Sequence, residues 1–299
     1  MELQLQEITK QYRQFTAVDN LSFTIEKGEI FGLIGANGAG KTTTFRMILN
    51  LQEITSGTIF WQGQPVQSLQ KDTFGYLPEE RGIFPQMKVE EQLHFFGKIR
   101  GMDKAIIKQE VDYWIDRFQL EEKRHAKAET LSKGNQQKVQ LIASFLHQPK
   151  FLILDEPFSG LDPVNKELLK SAIIWLKERG TTILFSSHQM ENVEELCDNL
   201  CLLKNGRSLF TGPIIELKKK HGKQRLAIRT ELDPAVLLQI DGVESCQRNG
   251  DEVVCSIREE QVAKTVYNVV AQNGFVEKFS LDYLSLDEIF RREVGGIHE

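Results

Sequence analysis

The residues most able to do chemistry in this sequence lie in a glycine-rich stretch at positions 35–43, GANGAGKTT. The stretch fits the pattern G-x-x-x-x-G-K-[ST], in which glycines allow backbone N–H groups to turn inward around phosphate oxygens. A lysine there adds positive charge, and the following threonine offers a hydroxyl ligand to Mg²⁺. We therefore predict that the β- and γ-phosphates of a nucleotide are held by Gly35, Asn37, Gly38, Ala39, Gly40, Lys41, Thr42 and Thr43.

Two adjacent carboxylates, Asp155 and Glu156, follow an apolar run at residues 151–154. Such a run is typical of a buried parallel strand, and ligands of open α/β sheets bind beyond the carboxyl ends of strands. Neighbouring carboxylates at a strand end are costly to fold unless a cation lies nearby. We predict that Asp155 holds the Mg²⁺ that Thr42 also contacts, and that Glu156 orients or deprotonates an attacking water molecule.

Three further side chains are candidates for the same site, and the residue type of each fits a functional role and a purely structural one. His188 follows the strand-like residues 181–186 and leaves the sheet on the same side as Asp155, although a single histidine is more often structural. Ser132 marks a helix N-terminus that can receive an anion or is simply capped. The ring of Tyr12 either stacks on an adenine or packs on the local sheet.

The elements around these candidates predict an α/β fold. Residues 29–34 indicate a buried strand and residues 44–49 a helix, so the glycine stretch connects a strand to a helix. Residues 2–8 alternate apolar and polar side chains, which is typical of an antiparallel strand. From residue 89 to about 146 the apolar residues recur with the helical period. A mostly helical insert, which we place at about 86–146, therefore interrupts the sheet.

The C-terminal part of the chain predicts a separate, smaller domain. A basic run at residues 218–223, KKKHGK, is a candidate linker, and it fits the solvated end of a helix equally well. Beyond it, residues 224–299 indicate strands and helices in the order βαββαβ. This order predicts a small α+β sandwich of the ferredoxin-like type.

Composition narrows the function classes. The chain has 299 residues and a formal net charge of −5, which counts against binding to nucleic acid. Residues 1–4 lack the basic start of a signal peptide, and no apolar run approaches the roughly 20 residues that span a bilayer, so we expect any work at a membrane to be done from its surface.

The four cysteines, at positions 197, 201, 246 and 255, show no C-x-x-C spacing, and we predict free thiols in a reducing cytosol.

Taken together, residues 1 to about 217 resemble the ATP-binding subunit of ATP-binding-cassette (ABC) transporters. The glycine stretch matches the Walker A loop of that family, residues 131–135 its signature sequence, residues 151–156 its Walker B strand, residues 159–162 its D-loop and His188 its switch histidine. The resemblance implies that Tyr12 stacks on adenine. It also implies that the ATP of a partner cassette is approached by Ser132, Gly134 and Asn135.

Three positions depart from the family pattern. Glu79 stands where a glutamine usually bridges Mg²⁺ to the membrane partner, and the signature carries Lys133 and Asn135 in place of the commonest residues. A carboxylate keeps the oxygen of the amide and adds charge, so we expect Glu79 to remain a metal ligand. The positions that approach the γ-phosphate, Ser132 and Gly134, are retained.

The resemblance implies a P-loop ABC cassette with a RecA-like parallel core, an N-terminal antiparallel β subdomain and the helical insert. It implies a homodimer or heterodimer of cassettes that hydrolyses MgATP with Glu156, His188 and Lys41 and drives a separate transmembrane permease. Such a subunit is cytoplasmic and peripheral on the inner face of the cell membrane. The C-terminal part resembles the accessory domain of bacterial drug- and sodium-exporter ATPases, which implies export. The alternatives are a soluble ATPase of the same fold in DNA repair or on ribosomes, and a regulator without transport.

Overall fold

The computed structural model describes residues 1–68, 73–80 and 82–294, and they divide into two units, of which the first ends at Thr211 and the second begins at Gly212. The strands that lie or begin in the first unit are β1 (Leu3–Tyr12), β2 (Phe15–Ile25), β3 (Ile30–Gly35), β4 (Ser56–Trp61), β5 (Gln64–Pro65), β6 (Phe74–Leu77), β7 (Phe151–Asp155), β8 (Thr182–Ser186), β9 (Asn199–Lys204) and β10 (Arg207–Pro213). Its α-helices are α1 (Lys41–Ile48), α2 (Val89–Ile99), α3 (Lys104–Arg117), α4 (Lys133–Phe145), α5 (Pro163–Glu178) and α6 (Met190–Leu196).

The central sheet of the first unit has the strand order β10-β9-β3-β8-β7-β6. Strands β3, β6, β7, β8 and β9 pair in parallel, and every residue of β3, β7 and β8 is buried. Burial on both faces explains why these strands are almost continuously apolar in sequence. Because parallel strands end at the same edge, the glycine stretch after β3, the carboxylates at the end of β7 and the residues after β8 meet there.

An antiparallel sheet of order β2-β1-β4-β5 packs beside this core. Its alternating inner residues join a cluster that includes the stacked rings of Phe23 and Phe31, whose centroids are 5.1 Å apart. The strand predicted at residues 2–8 is confirmed as part of β1, and β2, which begins at Phe15, pairs with it. The outcome confirms the predicted antiparallel β subdomain.

The insert between β6 and β7 is helical, as predicted, and contains α2, α3 and α4 with two short 3₁₀ turns. Trp114 of α3 packs edge to face on Phe145 of α4, with centroids 4.5 Å apart, and on Trp175 of α5 at 4.9 Å. The guanidinium of Arg179 lies 3.9 Å from the Trp175 ring centroid. These aromatic contacts join the insert to the core of the first unit.

The second unit consists of α7 (Ile214–His221), β11 (Lys223–Arg229), α8 (Pro234–Leu237), β12 (Val243–Asn249), β13 (Glu252–Ile257), α9 (Val262–Gln272), β14 (Lys278–Tyr283) and α10 (Leu286–Val294). Its sheet has the order β12-β13-β11-β14, and each neighbouring pair is antiparallel. The predicted βαββαβ order is therefore confirmed from β11 to β14. Its core is apolar and includes Leu226, Ile228, Val253, Ile257 and Val266.

The linker predicted at residues 218–223 is wrong. Helix α7 continues to His221, and β11 begins at Lys223, so Gly222 alone separates the two elements. Three lysines in the last turn of a helix interact favourably with its negative end, which explains a basic run without flexibility. The division between the units falls after Thr211, six residues before the predicted boundary at 217.

The prediction of four free thiols is also wrong for two of them. Cys246 and Cys255 face each other across β12 and β13 and form a disulfide. The asparagine and glycine of the intervening turn set the hairpin register, which brings the pair together without C-x-x-C spacing. The other two, Cys197 and Cys201, are free and buried, and burial raises the pKa of both thiols. Within the described ranges, no helix has the length and apolar character needed to cross a bilayer.

Candidate nucleotide site

A cavity of about 720 Å³ lies at the carboxyl edge of the parallel sheet. It brings together residues 37–43 of the glycine stretch, the Walker B carboxylates, the switch histidine and Glu79, which lies two residues after the end of β6. The cavity is lined by Phe15, Ala17, Asn37, Gly38, Ala39, Gly40, Lys41, Thr42, Thr43, Glu79, Asp155, Glu156 and His188. Residues distant in sequence that were predicted to share one site therefore share one cavity.

The glycines of the loop have conformations that other residues rarely adopt. Gly38 and Gly40 have φ angles of 78° and 107°. A Cβ atom on Gly40 would lie 2.6 Å from the carbonyl oxygen of Ala17, and one on Gly35 would lie 2.7 Å from that of Leu203. Side chains at these two positions would force the loop away from the strands beneath it. The sequence therefore needs glycine here to seat the loop directly before helix α1.

Lys41 is only 9% exposed, although it carries a charge. Its Nζ donates hydrogen bonds to the carbonyl oxygens of Gly35, at 2.7 Å, and Ala36, at 3.2 Å. Burial lowers the pKa of Lys41, whereas the negative charges of Glu156, Asp155 and Glu79 act to raise it. The ammonium group is thus held inside its own loop, and an anionic ligand in the cavity would favour its charged form.

Asp155 is 2% exposed and accepts two hydrogen bonds. Thr42 Oγ1 donates to Asp155 Oδ2 at 3.2 Å, and Ser186 Oγ donates to Oδ1 at 2.7 Å. Ser186 Oγ also accepts a hydrogen bond from the backbone N–H of Glu156 at 3.1 Å. This serine was not among the site residues predicted from the sequence. Its position in the sequence could have indicated it, because Ser186 ends a buried strand two residues before the predicted histidine.

The residues present fit a magnesium ion that arrives with a nucleotide. Three carboxylates and one ammonium group line the cavity, so a polyphosphate would add further negative charge to a site that is already acidic. Among residues 1–68, 73–80 and 82–294, no group of three or more His, Cys, Asp or Glu side chains forms a metal cage. Mg²⁺ usually binds through one or two carboxylates and the phosphates of the substrate, which matches this donor set.

Glu156 and His188 contact each other at the mouth of the cavity. Glu156 Oε2 lies 2.7 Å from His188 Nδ1 and accepts a hydrogen bond from the backbone N–H of His188 at 3.3 Å. Glu156 also has a φ angle of 51°, in the left-handed region that non-glycine residues rarely occupy. A backbone conformation of this kind is a cost that is commonly found at functional sites.

The aromatic residue next to the cavity differs from the predicted one. Phe15 lines the cavity, and its side chain is largely exposed. The predicted residue, Tyr12, is outside the lining, and its ring centroid lies 5.0 Å from the Lys10 ammonium. Tyr12 ends β1, and Phe15 begins β2 and is its partner in the register. Sequence analysis singled out the tyrosine alone, and the structure adds Phe15 as a second aromatic candidate for stacking on a base.

The three signature residues lie away from the lining of the cavity, at the N-terminus of α4. Ser132 caps this helix, and its Oγ accepts a hydrogen bond from the backbone N–H of Asn135 at 3.3 Å. A Cβ atom on Gly134 would be 3.5 Å from Asn165 Nδ2, so the helix start packs near the residues that follow the D-loop. The structure thus separates the predicted site residues into two groups.

Comparison with known proteins gives matches to both units. Residues 18–159 match the family model described as ABC transporter, and residues 212–294 match that of the C-terminal domain of DrrA1-3-like ATP-binding proteins. An uncharacterized ABC transporter ATP-binding protein of Bacillus subtilis, YhaQ, is 46% identical over 297 residues, which cover 99% of this chain and 100% of the relative. The Nod factor export ATP-binding protein I of Ralstonia nicotianae is 32% identical, with 98% and 94% covered.

Solved structures match the first unit. The ATP-binding subunit of an ABC transporter has a TM-score of 0.70 and 30% identity, and the match covers 74% of this chain and 94% of that one. A dimeric ATP-binding cassette in a post-hydrolysis state, bound to ADP and phosphate, has a TM-score of 0.65, 20% identity and coverage of 71% and 98%, and supports the fold. The relative of 46% identity matches this chain over almost its whole length, and the residues that line the cavity fit the motifs of the same family. This chain therefore belongs to the family of ABC transporter ATP-binding proteins.

Proposed function

We propose that this chain binds MgATP in the cavity and hydrolyses it, and that closure and reopening of paired cassettes drives export through a separate membrane subunit. The observation that carries the proposal is the convergence of Lys41, Asp155, Glu156 and His188 on a single cavity at the end of the parallel sheet. Ligands of open α/β sheets bind at this edge, and the glycine loop is suited to phosphate oxygens.

In this proposal the backbone N–H groups of the glycine loop and the Lys41 ammonium bind the β- and γ-phosphates. Tyr12 or Phe15 stacks on the adenine. Thr42, Asp155 and Glu79 would hold Mg²⁺, which when bound neutralises charge on the phosphate oxygens. Ser186 keeps Asp155 in place through its 2.7 Å hydrogen bond, and its contact with the Glu156 N–H links the two carboxylates.

The reaction is the attack of a water oxygen on the γ-phosphorus, with cleavage of the bond between that phosphorus and the bridging oxygen of ADP. Glu156 orients the water and accepts its proton. His188 is mostly exposed and hydrogen-bonded to Glu156, and in this proposal it contacts the γ-phosphate. The products are ADP and inorganic phosphate.

A second cassette completes the site. Ser132, Gly134 and Asn135 lie outside the lining of the cavity in the same chain, so in this proposal they contact the ATP of another chain. The partner is a second copy of this chain or a sister cassette. Head-to-tail pairing of two cassettes would then depend on ATP, because the nucleotide fills the space between the two groups of residues.

The transport part of the proposal is supported by the relatives. They include proteins named for Nod factor export, and a linearmycin resistance ATP-binding protein of Bacillus subtilis that is 34% identical over 223 residues. We place the chain on the cytoplasmic face of the membrane, bound to a permease subunit. The alternative, a regulatory ATPase without transport, predicts activity that ignores every membrane partner, and crosslinking in native membranes would identify the partner if there is one.

The central experiment replaces Glu156 by glutamine. Glu156→Gln should still bind ATP but accumulate as closed dimers, which size-exclusion chromatography with ATP and Mg²⁺ would detect. ATP turnover should fall at least about 100-fold, as expected when a general base is lost. Glu122→Gln makes the same change on the surface of the helical insert and should behave as the wild-type chain. Undiminished turnover in Glu156→Gln would contradict the assignment.

A further inference from the structure

A buried amide on helix α4 holds the segment that carries Glu79. Gln140 is only 4% exposed, and its Nε2 donates hydrogen bonds to the carbonyl oxygens of Pro78, at 3.3 Å, and Glu80, at 3.0 Å. These carbonyls are on the two sides of Glu79, whose side chain lines the nucleotide cavity. Strand β6 ends at Leu77, so the segment lies beyond the sheet pairing.

The orientation of this amide is fixed by its partners. A primary amide has two N–H donors, and both are used by the two carbonyl oxygens. Its Oε1 is buried and has no hydrogen-bond partner in the described part of the chain. An unpaired buried acceptor carries a cost that a methionine of similar size would avoid. The donor pair toward residues 78 and 80 is thus the feature for which a glutamine is needed at this position.

The same face of α4 contacts β6 directly. A Cβ atom on Gly75 would lie 2.3 Å from the carbonyl oxygen of Ser144, so only a glycine permits this approach. Ser144 and Gln140 are four residues apart and therefore lie on one face of the helix. Helix α4 thus contacts β6 through Ser144, and one turn earlier it contacts the segment after β6 through Gln140. A displacement of α4 would consequently move the backbone around Glu79.

We propose that Gln140 is a positioning residue for Glu79, and that it connects the metal side of its own ATP site to α4, the helix that Ser132 caps. The inference rests on the proposed function, in which Glu79 is a Mg²⁺ ligand and the start of α4 serves the ATP of the partner. Gln140 contacts neither nucleotide nor metal in this proposal. It acts by keeping the Glu79 carboxylate in the cavity.

The test measures binding of the ATP analogue AMP-PNP to the full chain by calorimetry, with Mg²⁺ and with EDTA. In the wild-type chain Mg²⁺ should strengthen binding. Gln140→Met should reduce that gain about fivefold, which corresponds to the loss of an ordinary hydrogen bond, and should leave the affinity in EDTA unchanged. Gln140→Asn, which retains a buried amide but is too short to reach both carbonyls, should reduce the gain similarly and serves if the methionine variant does not fold.

A double-mutant cycle with Glu79→Ala separates positioning from general stabilisation. If Gln140 acts through Glu79, Gln140→Met should have no further effect on the Mg²⁺ gain once Glu79 is alanine. Gln92→Met is the matched control, because Gln92 is a fully buried amide whose Oε1 accepts a hydrogen bond from the N–H of Phe84, farther along the same loop. It should lower the melting temperature and leave the Mg²⁺ gain intact.

Two results would overturn the inference and leave the proposed function standing. The first is an unchanged Mg²⁺ gain in both Gln140 variants. The second is that Gln140→Met lowers the Mg²⁺ gain equally in the presence and in the absence of the Glu79 carboxylate. A lower melting temperature with an intact Mg²⁺ gain would count in the same direction, because it shows a structural role only. If AMP-PNP binding by the wild-type chain ignores Mg²⁺, the proposed metal–nucleotide site itself is wrong, and the inference is overturned with it.

Discussion

The two units place their charged side chains in different ways. At the edge of the first sheet, Lys41 and Asp155 are buried, and the neighbouring Glu156 has a left-handed backbone. In the second unit the core is apolar, and charged groups such as Arg229, Asp251 and Glu277 pair at exposed positions. Exposed pairs add little to stability, whereas buried charges are costly until they find partners. The comparison teaches that the first unit accepts a folding cost at the sheet edge where a ligand is expected.

The largest effect should follow from removing the buried cation of the first unit. Lys41→Ala should weaken ATP binding about 100-fold, because at least one hydrogen bond between charged groups is lost. Calorimetric titration with ATP and Mg²⁺ would measure the change. Lys27→Ala removes an exposed lysine and should bind ATP as the wild-type chain does. Equal affinity in both variants would break the comparison, because it would make Lys41 a structural cation only.

A smaller effect is expected from Ser186, which contacts the site only through other residues. Ser186→Ala removes the hydrogen bond to Asp155 and the acceptor for the Glu156 N–H, and should lower kcat for ATP about tenfold or more. Ser171→Ala, which removes an exposed hydroxyl from α5, is the control. A steady-state ATPase assay checks both. A kcat unchanged by Ser186→Ala would mean that this serine does not support the two carboxylates.

The smallest effect concerns the second unit and should leave ATP binding untouched. Burial lowers the pKa of His221 from its usual 6.5, although Glu293 acts to raise it. The unfolded chain therefore takes up a proton that the folded unit resists. Stability contributed by neutral His221 is present above pH 6.5 and falls as the pH drops below that value, until the folded form is protonated as well.

His221→Asn should accordingly make the second unit less sensitive to acid. Calorimetric melting at about pH 8 and pH 5 should show that the wild-type midpoint falls by a few degrees more than that of the variant. The ATP affinity of the two chains should be the same at neutral pH. An equal fall of the midpoint in the wild-type chain and in His221→Asn would contradict the assigned direction of the pKa shift.

The sequence was sufficient for features that backbone geometry ties to a local pattern. The glycine stretch at residues 35–43 has its glycines at fixed spacing between a strand and a helix, and Asp155 and Glu156 are recognisable because a buried strand ends there. The fold class followed from the same periodicities. The βαββαβ order of the second unit could be predicted because each of its elements has a period or a turn signal of its own.

Other features depend on which segments meet in space. Ser186 reaches Asp155 because β7 and β8 pair in parallel with these two residues opposite each other, a register that no local pattern states. The disulfide of Cys246 and Cys255 likewise depends on the register of a hairpin. The run of lysines before Gly222 indicated a linker and a helix end equally, and only the packing of the second unit decides between them.

The distribution of tryptophan also has a practical consequence. The chain has three tryptophans, Trp61, Trp114 and Trp175, and all lie in the first unit. Tryptophan fluorescence, excited at wavelengths longer than the tyrosine absorption band, will therefore report unfolding of the first unit and not of the second. Circular dichroism records both. The interval between the two melting curves is a built-in measure of how far one unit can unfold while the other remains intact, and it requires no label.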